Sequence, residues 1–214
     1  MVNGLRLLFQ MLRMNMKIDF PIFSGVRCLM MPFIQGDPDS IPDEYGAYSA
    51  IIESVFFERG DVGFLTIDES STVAGRPHRG DRAMFERALH TEAGRRPGEI
   101  YGWGSGGGWG SSHIVTLDRE TEILLANNLD DSCAVWDATH ENTSLDGDIG
   151  DFADQYPYSD AVFMKAGEVH RIGILTPHES LPVDGVFDRQ FLRIVSSGVH
   201  GREPYFTVNP VLTV

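Results

Sequence analysis

The C-terminal third of the chain holds the residues whose types and spacing most suggest chemistry. In KAGEVHRIGILTPHESLPVDGVFDRQFLRIVSS a histidine, His178, stands at a predicted strand end. A proline-containing turn follows, and eleven residues on, Arg189 opens an alternating strand. Successive side chains of a strand point to opposite faces, so Arg189, Phe191 and Arg193 share one face. Two guanidinium groups pointing where a core-facing Phe points are costly unless an anion meets them. The pattern therefore predicts a buried carboxylate or phosphate, held by the bidentate fork that arginine provides.

Other chemical-looking motifs carry less. The run GWGSGGGWG (102–110) contains G-x-G-x-x-G, but a dinucleotide fingerprint needs a strand before it and a helix after it. Here a charged loop precedes and the β-prone SSHIVTL follows, so the run reads as a wide loop or a flap in which Trp103 and Trp109 close over a pocket. Cys133 sits in an apolar strand pattern and reads as a core residue, and no G-x-S-x-G nucleophile elbow is present. Asp130-Asp131 and Asp146-Gly147-Asp148 lack the alternating ligands and closing Glu of an EF-hand and read as solvated turns.

The His178 turn and its following arginine resemble the end of the Fe(II)/2-oxoglutarate-dependent dioxygenase double-stranded β-helix. There a distal metal histidine is followed by a turn and an arginine on the next strand. The segments TIDES, PHRG, DDSCAVWD, TPHESLP, RQFLR and TVNP also resemble a group of microbial, fungal and viral proteins that brings no assigned activity with it. That second resemblance spans roughly residues 22–212.

The dioxygenase resemblance implies Fe(II) and 2-oxoglutarate as cofactors. It places the distal metal ligand on His178 and the 2-oxoglutarate arginine on Arg189, with Arg193 as the second candidate. It places the proximal H-x-D/E pair on His90 and Glu92, with His78 and Asp81 in reserve. Two imidazoles and one carboxylate on one face would leave iron three positions for co-substrate and oxygen. On a strand, His90 and Glu92 project to the same side; on a helix, residues i and i+2 point about 200° apart. The stretch DRAMFERALHTEAGRR (81–96) begins helically, with Met84, Phe85, Ala88 and Leu89 on one side, so the pair requires that helix to stop before His90. His170 rivals His178, because KAGEVH resembles the second cupin motif; a cupin-type metalloenzyme would use both without 2-oxoglutarate. A third reading is a non-enzymatic jelly-roll module in which Arg189 and Arg193 capture a small anion.

The elements that must position these residues are mostly strands. Ser40, Pro42 and Asp43 supply a helix start, and Tyr48, Ile51, Ile52, Val55 and Phe56 give one apolar helical face ending at Gly60. Short β-rich runs then recur at 62–68, 112–117, 122–127, 133–138, 161–166, 168–175, 189–196 and 204–208, after an earlier one at 26–33. Many short strands after one leading helix predict a mainly β fold with flanking helices, an antiparallel barrel or jelly roll of the cupin-like, double-stranded β-helix kind. No βαβ alternation is visible.

Length and charge bound the rest. The chain has 214 residues, enough for one domain. Its 17 basic and 31 acidic residues give a net charge of −14, a poor surface for nucleic acid, whose affinity rests on clustered Lys and Arg. Two cysteines make no disulfide framework and suit a reducing, cytoplasmic setting. Residues 1–17 are basic and interrupted in their apolar run, too short to span a bilayer. They read as a docking helix or start-site extension before a single domain over 18–214. The expected partner is a small-molecule substrate, with neither nucleic acid nor membrane, and strand edges leave a homodimer open.

Overall fold

The computed structural model describes residues 12–78, 87–92, 94–96, 99–101, 122–140, 147–196 and 206–212. The chain is mainly β. Its strands are β1 (Leu12–Lys17), β2 (Arg27–Ile34), β3 (Val62–Ser71), β4 (Gly94–Arg96), β5 (Glu99–Tyr101), β6 (Glu122–Asn127), β7 (Cys133–Trp136), β8 (Ala161–Phe163), β9 (Glu168–Gly173), β10 (His178–Ser180) and β11 (Asp188–Val195). The six-stranded sheet runs β1-β9-β6-β11-β3-β2, the three-stranded sheet runs β10-β7-β8, and β4 pairs with β5. All pairings are antiparallel.

Alternation along the strands makes two cores around the large sheet. Leu65, Ile67, Leu124, Leu192 and Ile194 face outward onto Tyr48, Ile51, Ile52 and Val55. Phe64, Ile123, Leu125, Ile172 and Val195 face inward onto Cys133 and Val135 of the small sheet and Met164 just beyond β8. The leading helix predicted to Phe57 is shorter, a 3₁₀ turn at Asp43–Tyr48 followed by α1 (Ser49–Ser54), whose apolar face still seals the outer core. A small sheet facing a large one buries the inner faces by side-chain packing, and the sheets do not close into a barrel among the described residues.

The basic N-terminal stretch contributes more than expected. Its last six residues are β1, the edge strand beside β9, and not a docking helix. The predicted helix over 81–96 falls partly outside the described residues. Its described part is extended at His90, which bridges His178, so the helix does not reach the H-x-E pair. The predicted strand 112–117, the Gly-rich flap with Trp103 and Trp109, and Asp81 lie outside the described residues, and Phe206–Val208 form no strand. No helix among the described residues is long and apolar enough to cross a membrane.

Candidate metal centre

Backbone pairing brings the three expected ligands together. His90 and His178 exchange both backbone hydrogen bonds, each 3.0 Å, which adds residues 89–92 to the free edge of β10. On the far side of this added segment, Thr91 N–H donates to Gly147 O (2.8 Å) and Ile149 N–H to Leu89 O (3.2 Å). Glu92 N–H donates to Ile174 O (2.9 Å). The segment is thus a ribbon clamped between 147–149 and 174–178. Gly147 has φ +73°, and a Cβ there would meet Thr91 O at 2.0 Å, so only glycine permits this approach.

One ligand atom from each of His90, Glu92 and His178 lies within 4.8 Å of the others. Ligands about 2.1 Å from a common ion sit roughly 3 Å apart when adjacent, so small rotations would close the group on a cation. The imidazoles are prepared for this. His90 Nδ1 donates to Ala88 O (2.7 Å) and His178 Nδ1 to Thr176 O (2.9 Å). Each bond holds the proton on Nδ1, leaves the lone pair on Nε2 and fixes the ring. Two imidazoles and a carboxylate on one wall form a donor set suited to a transition metal, so the group could hold a metal ion.

The group opens on a cavity of about 620 Å³ between the sheets. One wall carries Thr66, Asp68, Leu125, Arg189, Phe191 and Arg193 of the large sheet; Cys133, Val135, Met164 and Ser180 face them. The two arginines differ. Arg193, 1% exposed, donates from Nη1 to Glu92 Oε1 (2.7 Å) and from Nη2 to Thr66 Oγ1 (3.3 Å). Arg189, 2% exposed, lies over the Phe191 ring (5.0 Å), and among the described residues its hydrogen bond is to Cys133 Sγ at 3.7 Å. Its Nε is buried with no hydrogen-bond partner among the described residues. A guanidinium left this way invites an anion. Arg193, the second anion candidate, is instead engaged by a metal-ligand candidate.

The remaining candidates fall elsewhere. His170 is buried on β9, 3.6 Å from Glu168 and outside the cavity wall, so it does not join His178 as the cupin-type reading requires. His78 lines the cavity, but Asp68 Oδ2 holds its Nε2 at 2.8 Å and it stands apart from the ligand group. Ser70 Oγ lies 3.5 and 3.4 Å from the two ring nitrogens of His78, both at the long limit of a hydrogen bond, so no tight Ser-His-Asp relay is formed. Burial pushes the Asp68 carboxyl up, but the His78 hydrogen bond and charge, with Arg27 and Arg189, outweigh it and hold the group below the usual range.

Sequence reading missed three residues here. Asp68 stood inside TIDES without a role, although period-two alternation puts it on the face of Thr66. Thr66 gave no signal. Gly147 falls in what the sequence presents as a solvated turn, and its only signal is a glycine between two aspartates. As for Asp130 and Asp131, they cap a turn, taking Ala166 N–H (2.8 Å) and Lys165 Nζ (2.7 Å).

Comparison of the chain with protein-family models, curated proteins and solved structures gives no match. The functional reading therefore rests on the site itself.

Proposed function

We propose that the chain is an Fe(II)- and 2-oxoglutarate-dependent oxygenase acting on a small molecule, built on a double-stranded β-helix. The observation that carries the reading is a pairing within one cavity. Arg189, a buried guanidinium with an unsatisfied Nε, lines the same cavity as His90, Glu92 and His178. Facing antiparallel sheets and the clamped ribbon at 89–92 support the fold. The cavity volume suits a co-substrate with a small substrate beside it.

His90, Glu92 and His178 would hold iron, the Nε2 atoms of the two imidazoles presented by the backbone bonds to Ala88 and Thr176. Iron would supply the oxidative step, in which one oxygen atom of O2 enters succinate as 2-oxoglutarate loses CO2, and the other oxidises a substrate C–H bond. Arg189 takes the far carboxylate of 2-oxoglutarate through charge-assisted hydrogen bonds and so orients it. Leu29, Leu125, Val135, Met164 and Phe191 supply an apolar wall that excludes water.

Anaerobic addition of Fe(II) and 2-oxoglutarate tests this. The expected result is a visible charge-transfer band, followed by succinate on admitting oxygen. Neither band nor succinate would sink the oxygenase reading. Binding of 2-oxoglutarate without metal would leave an anion-binding module.

A further inference from the structure

We infer that Arg193 is a positioning residue of the metal centre: it fixes the Glu92 carboxylate for coordination and is itself fixed by Thr66. This deepens the metal reading above and rests on it. The order of contacts runs from the edge of the large sheet to the ligand. β2 pairs with β3 in register at Cys28↔Ile67 and again at Met31↔Leu65, so Leu29 and Met30 stand opposite Thr66 as a bulge. Met30 takes φ +47°, a strained conformation for a side-chain-bearing residue, and its N–H donates to Thr66 Oγ1 at 3.1 Å. The same Oγ1 accepts from Arg193 Nη2 (3.3 Å), and Arg193 Nη1 donates to Glu92 Oε1 (2.7 Å).

The geometry gives this chain one physical meaning. A flexible glutamate costs rotamer entropy when it is immobilised as a ligand. Anchoring one oxygen before metal arrives removes part of that cost, as hydrogen-bonded partners do for ligating carboxylates generally. Arg193 suits the task because it is 1% exposed, lies on the inward face of a central strand and spans from Thr66 to Glu92. Arg189, four residues away on the same face, has no such engagement. The two inward arginines therefore divide their labour, one toward the anion and one toward the metal ligand.

The probe is Co(II), titrated into the purified full-length chain under anaerobic conditions and followed by its visible ligand-field absorption. Wild type that binds no Co(II) would overturn the metal reading itself. Given wild-type binding, Arg193→Leu is expected to weaken Co(II) about 10- to 100-fold and to change the ligand-field spectrum. Arg193→Lys keeps a cationic donor and is expected to recover most of the affinity. A residue that served stability alone would shift the unfolding midpoint and leave the spectrum of the folded fraction as in wild type, which would overturn the inference. Tighter binding in both variants would also overturn it, because charge repulsion would then be the governing effect. Thr66→Val offers a milder second variant should Arg193→Leu fail to fold. It is expected to weaken Co(II) roughly three- to tenfold, the loss of one hydrogen bond, and unchanged affinity would count against the proposal.

Discussion

His90 and His178 are joined by a pair of backbone hydrogen bonds, 3.0 Å in each direction, with their rings 4.3 Å apart between centroids. A hydrogen-bonded antiparallel pair keeps its two side chains on one face. The placement of these imidazoles is therefore set by strand pairing and does not depend on the rings finding one another. Glu92, two residues along the ribbon, falls on the same face and completes the group.

Removing a histidine from this pair should abolish the metal site while sparing the fold. His178→Ala keeps the backbone bonds and removes one ligand. The expected result is a loss of Co(II) affinity of about 100-fold or more, above what loss of a supporting partner costs. Far-ultraviolet circular dichroism should stay unchanged.

Gly147 gives a test that leaves every candidate ligand in place. Gly147→Ala drives a methyl toward Thr91 O and strains a φ of +73°, so the ribbon must shift. Metal affinity is expected to fall by about tenfold or more, as a misplaced ligand set should. Wild-type affinity in this variant would mean that the ribbon moves without disturbing the ligands.

Arg189→Met separates affinity from stability. Loss of a charge-assisted grip on a carboxylate should weaken 2-oxoglutarate roughly 10- to 100-fold, measured calorimetrically with Co(II) present. Its Nε has no hydrogen-bond partner among the described residues, so replacing the guanidinium by an apolar chain should leave the unfolding temperature unchanged or raise it. A clear drop would show that Arg189 supports the fold.

Glu69, next to Asp68 but on the opposite face of β3, should dominate the acid response of the outer core. It accepts from Ser24 N–H (2.7 Å), Gly25 N–H (2.6 Å), Tyr48 Oη (2.8 Å) and Gln190 Nε2 (2.8 Å). Burial pushes its carboxyl up, but these bonds outweigh that and hold it below its ordinary value of 4.5. Because the folded form is the stronger acid, its contribution is fully present above pH 4.5 and is lost as pH falls further. Glu69→Gln should cost about 2–3 kcal/mol near neutral pH, with a shallower decline than wild type below that point, read from denaturant unfolding against pH.

Cys28 should be inert in the native protein. Burial pushes its thiol up to about 12, and its Sγ contacts Leu65 O at 3.7 Å. In a Cys133→Ala background, disulfide reagents at neutral pH should label Cys28 only along the unfolding transition, because the thiolate is the nucleophile. Rapid labelling of native protein would show that the large cavity admits the reagent.

How much of this was legible in the sequence follows from the range of each interaction. Strand alternation is local, so RQFLR already put Arg189, Phe191 and Arg193 on one face, and β6, β7 and β11 lie close to where the β-rich runs predicted them. Local propensity overstated the leading helix, and the helical start of 81–96 lies outside the described residues. Around 81–96 the pairing of His90 with His178 is worth more than a short helical turn, and it draws the ribbon into a sheet.

What only the tertiary structure decided are the matters that depend on residues far apart in the chain. The different surroundings of Arg189 and Arg193 rest on which of them meets Glu92, about a hundred positions away. Likewise, His170 and His178 share a sequence neighbourhood, yet only His178 sits on the edge to which the His90 ribbon adds. Period and residue type determined the faces on which the chemical groups stand. Which faces meet is settled by strand order and register, and these follow from burying every inward face at once, a condition that no local window of sequence contains.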